Sequence, residues 1–123
     1  FVCGSVDETD GTPLETLAHP QSKRVMSAEN VALLRKMLCQ VVEEGTAQDA
    51  AWLEEGAGGK TGTAQTGQFT PDGTERKNLW FTGFYPAQQP RYTIVVLQDG
   101  QVSTEHSSAA IFARLCAMLD LLA

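Results

Sequence analysis

The sequence lacks an apolar stretch of the roughly 20 residues that a membrane-spanning helix needs, because polar residues interrupt every hydrophobic run early. It also lacks the features of a secretory leader. It opens Phe1-Val2-Cys3, without a methionine and without a basic segment followed by an apolar one. We therefore expect this opening to be an internal position of a longer polypeptide.

Basic residues are few and scattered. Nine Lys and Arg stand against 15 Asp and Glu, which gives a net charge of −6, and no basic run is longer than two residues. Nucleic-acid-binding domains usually present a basic face, so the composition argues against a nucleic-acid partner. With 123 residues, of which 42% are hydrophobic, the chain is long enough for one globular domain or a piece of one.

Cysteine and histidine are scarce. Cys3, Cys39 and Cys116 form no Cys-x-x-Cys pair, and His19 and His106 have no ligand-like spacing to a cysteine or carboxylate. We therefore predict no metal site and no cofactor. Cys39 and Cys116 lie near apolar neighbours in predicted helices, so we expect them to be small buried apolar residues. Nothing in the spacing supports a disulfide.

Two segments have the apolar spacing of amphipathic helices. Ser27 is a suitable N-cap for a helix over 28–44, which Gly45 ends. We expect one face of this helix to pack and its charged residues, including Arg35, to stay in solvent. Ser107 or Ser108 caps a last helix over 108–122, whose apolar stripe predicts a role in the core.

Three strands are predicted between these helices, at 59–65, 79–85 and 91–98, and Asp99-Gly100 is expected to end the third. The polar segment 66–78 predicts a long exposed loop. The connections are too short for crossover helices, so the strands should be antiparallel. Short strands should also flank the Asp10-Gly11 turn. This pattern predicts an α+β fold, with helices packed on an antiparallel sheet.

The most informative segment is Gly59-Lys60-Thr61-Gly62-Thr63-Ala64-Gln65. A phosphate-binding P-loop also contains Gly-Lys-Thr, but it needs a glycine five residues before that triplet and runs directly into a helix. Position 54 is a glutamate, and the residues after Lys60 are poor helix formers. The alternative is a Lys-Thr-Gly strand of the kind used by serine acyl-transfer enzymes that react with penicillin.

The order of segments around this motif is specific. A helix ending Val-Val-Glu-Glu-Gly-Thr precedes it, and aromatic-Thr-Gly-Phe and Pro-Arg-Tyr-Thr-Ile-Val-Val strands follow it. This order resembles the C-terminal portion of the transpeptidase domain of class B penicillin-binding proteins. The resemblance implies that residues 1–123 are a C-terminal fragment with a partial β-lactamase/transpeptidase-like fold. It also implies peptidoglycan stem peptides ending in D-Ala-D-Ala, and β-lactams, as ligands.

The resemblance also implies roles for four residues. Lys60 would add positive potential and bond the serine of a Ser-x-Asn motif, and the hydroxyls of Thr61 and Thr63 would hold the terminal carboxylate. The N–H of Thr63 would be an oxyanion donor, and Gly62 would let a ligand approach closely. Simple alternation along a strand separates Lys60 from both threonines, although a twisted edge strand would let the long lysine side chain reach round.

The catalytic serine is missing. None of the serines (Ser5, Ser22, Ser27, Ser103, Ser107 and Ser108) has a lysine three places on or an asparagine two places on. We expect the nucleophile to lie in an N-terminal part of the same protein, and the isolated chain to be inactive and to self-associate through surface that this part would cover. The resemblance implies anchoring at the extracytoplasmic face of the bacterial membrane. The alternatives are a fragment of a β-lactamase or β-lactam-sensing receptor, or a non-catalytic binding module on the same fold.

Overall fold

A computed structural model describes residues 5–7, 13–16 and 23–122. Cys3, His19 and the Asp10-Gly11 turn lie outside the described residues. In chain order the elements are β1 (Ser5–Asp7), β2 (Pro13–Thr16), α1 (Ala28–Glu43), a 3-10 turn (Gln48–Ala50), β3 (Gly58–Phe69), β4 (Glu75–Tyr85), β5 (Tyr92–Gln101) and α2 (Ser108–Asp120).

The described part of the chain contains two antiparallel sheets. β1 pairs with β2, and the larger sheet has the order β3-β4-β5. Helices pack against this larger sheet, which confirms the predicted α+β architecture. In the described part of the chain, no helix combines the length and the hydropathy needed to cross a bilayer.

A serine side chain caps the N-terminus of each helix. The Ser27 hydroxyl accepts the N–H of Asn30 at 3.2 Å, and the Ser107 hydroxyl accepts the N–H of Ala110 at 3.1 Å. Each bond satisfies a backbone donor that has no partner inside the helix. Of the two serines that the sequence offered for the last helix, Ser107 is therefore the cap.

The core lies between one face of the sheet and α2. Residues opposite each other in an antiparallel ladder share a face; Phe81 and Val96 are such a pair. Both are buried, as are Phe112 and Cys116 of α2. The rings of Phe81 and Phe112 lie 4.8 Å apart at 60°, the tilted arrangement that aromatic pairs favour. This contact fixes α2 against the middle strand.

The other face of the sheet is open in the described structure. Trp80, Val95 and Leu97 are 38%, 56% and 44% exposed. Large apolar side chains also remain exposed on α1, at Val31 and Met37 among others. Two apolar surfaces therefore have no cover from the described residues.

The predicted loop over 66–78 is wrong. β3 continues to Phe69 and β4 begins at Glu75, so residues 70–74 alone connect the strands. The polar side chains bond across this hairpin: Thr66 Oγ1 donates to Arg76 O at 2.6 Å and Gln65 Nε2 to Glu75 Oε2 at 2.9 Å. None of the residues that extend the two strands is buried, so a polar composition suits a strand as well as a loop.

The predicted end of the third strand is also wrong. β5 runs through Gly100 to Gln101, and Gly100 has a φ of +60°. The ladder is irregular between Lys77 and Leu79, and the intervening Asn78 side chain accepts the N–H of Gly100 at 2.8 Å. Asp-Gly therefore marks a bulge here and not a strand end.

The prediction for α1 needs two corrections. The predicted packed face is exposed or half-buried except at Val42, which is the one fully buried residue of the helix. The described residues contact the C-terminal part of the helix more closely than its start. Arg35 is half-buried and not a solvated charge. Its Nη2 donates to the carbonyl oxygens of Ala87 and Gln88 at 2.7 and 2.6 Å, which ties α1 to the β4–β5 connection.

Candidate active site on the edge strand

The residues predicted to form a site lie at the start of β3. Lys60, Thr61, Gly62 and Thr63 pair with residues 79–82 of β4. β3 is an outer strand of the three-stranded sheet. Its second edge therefore carries backbone donors and acceptors that no other described strand pairs with, as on any edge strand. Lys60, Gly62 and Thr63 are exposed and Thr61 is half-buried.

Lys60 and Thr61 are close together despite strand alternation. The Lys60 Nζ donates to the hydroxyl of Thr61 at 3.2 Å and to its carbonyl oxygen at 3.0 Å. The flexible four-carbon stem of lysine allows it to fold back along the strand edge. An ammonium group and a hydroxyl thus lie side by side at the unpaired edge.

Thr63 is two residues further along β3, on the same face as Thr61 by alternation. Two residues of strand span about 7 Å, so the two hydroxyl-bearing residues flank Gly62. A ligand lying along this edge could contact donors from both threonines and from Lys60. Ammonium and hydroxyl donors in this arrangement suit an anionic group such as a carboxylate.

Gly62 has open space around it. A Cβ built there would come no closer than 3.4 Å to the Trp80 Cβ, which is an ordinary contact, and its φ is not positive. Neither packing within the described chain nor backbone conformation therefore requires glycine at this position.

Thr46 is a site neighbour that the sequence analysis did not identify. Its Oγ1 lies 2.9 Å from the Oγ1 of Thr61. Thr46 lies three residues after the end of α1 and is 15 residues from Thr61 in sequence. The Gly-Thr at the end of the helix segment was visible in the sequence, but no spacing rule links it to the lysine strand.

Three serines near the helices have structural roles. Ser27 and Ser107 cap α1 and α2, and the Ser107 hydroxyl also bonds the Asp49 carboxylate. Ser108 is buried; its hydroxyl donates to Leu79 O and accepts from Gln98 Nε2, both at 2.9 Å. None of these bonds joins a serine hydroxyl to Lys60.

Comparison with known proteins identifies the family. A family model described as the penicillin-binding protein transpeptidase domain matches residues 4–117. The chain belongs to the penicillin-binding protein transpeptidase family. This confirms the resemblance to the class B penicillin-binding proteins drawn from the segments around Lys60.

Curated relatives of this chain support the same family assignment. It is 37% identical over 101 residues to penicillin-binding protein PbpB of Mycolicibacterium smegmatis, covering 73% of this chain and 15% of that protein. It is 38% identical over 85 residues to stage V sporulation protein D of Bacillus subtilis, covering 67% and 13%. The chain thus spans a small part of the length of these relatives.

Solved structures share the fold. Penicillin-binding protein 3 of Mycobacterium tuberculosis in complex with aztreonam matches with a TM-score of 0.69 and 28% identity, over 97% of this chain and 30% of that one. Its complex with ampicillin matches with a TM-score of 0.67, over 96% and 29%. The fold of this chain therefore corresponds to about 30% of the length of that related structure.

Proposed function

We propose that this chain belongs to a peptidoglycan D,D-transpeptidase and supplies the β3 edge that binds the terminal carboxylate of a D-Ala-D-Ala stem peptide. The observation that carries the proposal is the exposed cluster on an unpaired strand edge, where the Lys60 ammonium lies 3.2 Å from the Thr61 hydroxyl. The family match and the β-lactams bound by the related M. tuberculosis protein support it.

The reaction is an acyl transfer through a serine ester. The serine oxygen attacks the carbonyl of the penultimate D-Ala and the terminal D-Ala leaves with a proton. The amine of a second stem peptide then attacks the ester, forms the new amide and releases the serine. A β-lactam reacts at the same serine, and its ring amide opens to leave a stable ester.

Each residue of the β3 edge has a role in this proposal. Lys60 supplies positive potential at the carboxylate and nucleophile, and the hydroxyls of Thr61 and Thr63 donate to the carboxylate. The N–H of Thr63 helps to stabilise the oxyanion. Gly62 keeps bulk away from the ligand. Preorganised donors of this kind stabilise the charge that develops in the transition state more than the ground state.

The nucleophile in this proposal lies outside the 123 residues. Two observations support this: no serine has the Ser-x-x-Lys spacing, and Ser27, Ser107 and Ser108 have structural hydrogen bonds. An activated serine needs an adjacent base. The exposed apolar surfaces on the sheet and on α1 would then contact the part of the domain that carries this serine.

The test is labelling of the full-length protein with a fluorescent penicillin. We expect a covalent band from the wild type and about 100- to 1000-fold slower labelling of Lys60→Ala, as for the loss of one preorganised donor. The matched control is Lys77→Ala, which removes an exposed lysine further along the same hairpin, and it should label like the wild type.

The isolated chain should give no labelled band. Stable labelling of the isolated chain would refute the external nucleophile, and an unlabelled full-length wild type would refute the proposed function. Release of D-Ala from a stem peptide with transfer to an amine, measured on the same protein, separates a transpeptidase from a β-lactamase, which would turn over the penicillin instead.

We propose the extracytoplasmic face of the bacterial membrane as the location, because the proposed substrate is cell-wall peptidoglycan and one relative is named a penicillin-binding protein. Labelling of intact cells by a membrane-impermeant penicillin should reach the protein. Labelling that requires cell lysis would contradict this location.

The exposed apolar surface predicts self-association of the isolated chain. Sedimentation should show a mass that rises with concentration. Leu97→Lys, which places a charge on the open face at a residue that is 44% exposed, should shift the chain toward the monomer. A concentration-independent wild-type monomer would contradict the prediction.

A further inference from the structure

The hydroxyl of Thr61 has two polar neighbours in the chain itself. Lys60 Nζ lies 3.2 Å from its Oγ1, and Thr46 Oγ1 lies 2.9 Å from it. The direction of the Lys60 bond is fixed, because an ammonium group can only donate. The bond between the two threonines can run either way, and its direction decides what Thr61 can offer to a ligand.

A hydroxyl has one proton and two lone pairs. If Thr61 donates to Thr46, its proton is used inside the protein, and its hydroxyl offers a ligand carboxylate only the lone pair that Lys60 leaves free. If Thr46 donates to Thr61, both lone pairs of Thr61 are occupied, by Thr46 and Lys60. Its proton is then free to point away from both, toward the unpaired side of β3.

We propose that Thr46 is a positioning residue: it donates to Thr61 and thereby turns the Thr61 proton toward the ligand carboxylate. This inference rests on the proposed carboxylate site and extends it by one residue outside β3. In the empty protein both directions of the threonine bond are available, and an arriving carboxylate selects the one in which Thr61 donates outward.

The backbone holds Thr46 firmly enough for this role. The next residue, Ala47, is buried and its N–H donates to Val41 O at 3.1 Å. The preceding Gly45 lies so close to the last turn of α1 that a Cβ there would be 2.8 Å from Val41 O. The backbone of Thr46 is therefore held between a buried alanine and a glycine that lies against the end of α1, and this places its hydroxyl beside Thr61.

The experiment measures the rate of acylation of the full-length protein by fluorescent penicillin. Thr46→Val keeps the shape and removes the hydroxyl, and we expect about 3- to 10-fold slower acylation, the effect of one neutral hydrogen bond. Thr46→Ser restores the donor and should stay near the wild-type rate. Thr66→Val is the control, because it removes a threonine hydroxyl bond of the β3–β4 hairpin that does not involve Thr61, and it should label like the wild type.

A double-mutant cycle with Thr61→Val separates positioning from a structural role. Once the Thr61 hydroxyl is gone, Thr46→Val should have no further effect on the rate. An equal slowing in both backgrounds would show that Thr46 does not act through Thr61 and would overturn the inference. So would a Thr46→Val rate equal to the wild type, or no rescue by Thr46→Ser.

The outcomes also distinguish this inference from the proposed function. An unlabelled wild type refutes the function itself, whereas a labelled wild type with an unaffected Thr46→Val refutes only the role of Thr46. If Thr46→Val does not fold, as judged by its thermal unfolding, Thr46→Ala gives the same comparison with a smaller side chain.

Discussion

β3 changes from a packed strand to an open one within four residues. Gly58 and Gly59 are buried, and a Cβ at Gly59 would lie 2.4 Å from Phe81 Cζ and 2.6 Å from Thr82 O. At Gly62 the nearest atom would be 3.4 Å away. Glycine at 59 is required by the core, whereas glycine at 62 is left unexplained by the chain's own packing. The strand therefore joins a segment packed into the core directly to the segment that we propose binds the ligand.

The largest expected effect on stability is at the core contact between α2 and β4. Phe112→Ala removes the ring that packs on Phe81 at 4.8 Å and should lower the free energy of unfolding by about 3–5 kcal/mol. Urea unfolding followed by tryptophan fluorescence measures it. Leu122→Ala, at a side chain that is 82% exposed, is the control and should change stability by less than about 0.5 kcal/mol. Equal effects at the two positions would show that α2 is not docked as described.

Gly59→Ala tests the packed end of β3 itself. The added methyl would meet both the Phe81 ring and backbone atoms of β4, which cannot all move aside. We expect a loss of about 1–3 kcal/mol in the free energy of unfolding, as for other overpacked cores. Urea unfolding of Gly59→Ala and the wild type measures this loss. A neutral result would mean that the start of β3 is as open as Gly62.

Local patterns in the sequence predict the packed region well. The helix caps, the three strands and the antiparallel order follow from Ser27, from the apolar periodicity and from the short connections. The polar composition of residues 66–69 and 75–78 predicted a loop where the structure has strands, because a hairpin with no buried residues can have the composition of a loop. Gly100 misled because an Asp-Gly pair suits a bulge as well as a strand end.

The open region is predictable only in part. The Lys-Thr-Gly residues are recognisable as a motif. Strand alternation predicts that Lys60 and Thr61 lie on opposite faces, but the flexible lysine side chain bends back far enough to reach the Thr61 hydroxyl. Thr46 and Arg35 were not predictable as partners, because their contacts join residues 15 and 52–53 positions apart. No periodicity or spacing rule encodes such pairs.

A pH dependence separates the interior beneath α2 from the solvated edge. Burial, with the nearby Asp120 carboxylate, raises the pKa of the Cys116 thiol from 9.0 to about 12. The unfolded chain loses this proton at lower pH than the folded one. The contribution of this thiol to the free energy of unfolding is therefore fully present below pH 9 and is lost as the pH rises from 9 toward 12. The slope should reach about 1.4 kcal/mol per pH unit at most for this group.

Urea unfolding at half-unit steps between pH 8 and pH 11 measures this slope. In Cys116→Ala the free energy of unfolding should begin to fall at a higher pH, where the phenol of Tyr85 titrates in the unfolded chain. Burial and its bond to Asp120 raise the pKa of this phenol in the folded chain above its ordinary value of 10.0. A wild-type stability that is flat from pH 9 to pH 10 would contradict a buried protonated thiol.

The smallest effect on stability is expected at Gly62. Gly62→Ala meets only an ordinary contact with Trp80, so the free energy of unfolding should stay within about 0.5 kcal/mol of the wild type. In the full-length protein the same methyl would displace a ligand that lies against the strand, and we expect acylation by penicillin to slow by about 10- to 100-fold. Unfolding and acylation measured side by side on Gly59→Ala and Gly62→Ala should thus give opposite patterns. Normal acylation of Gly62→Ala would place the ligand elsewhere on the edge and remove the functional reason for glycine between the two threonines.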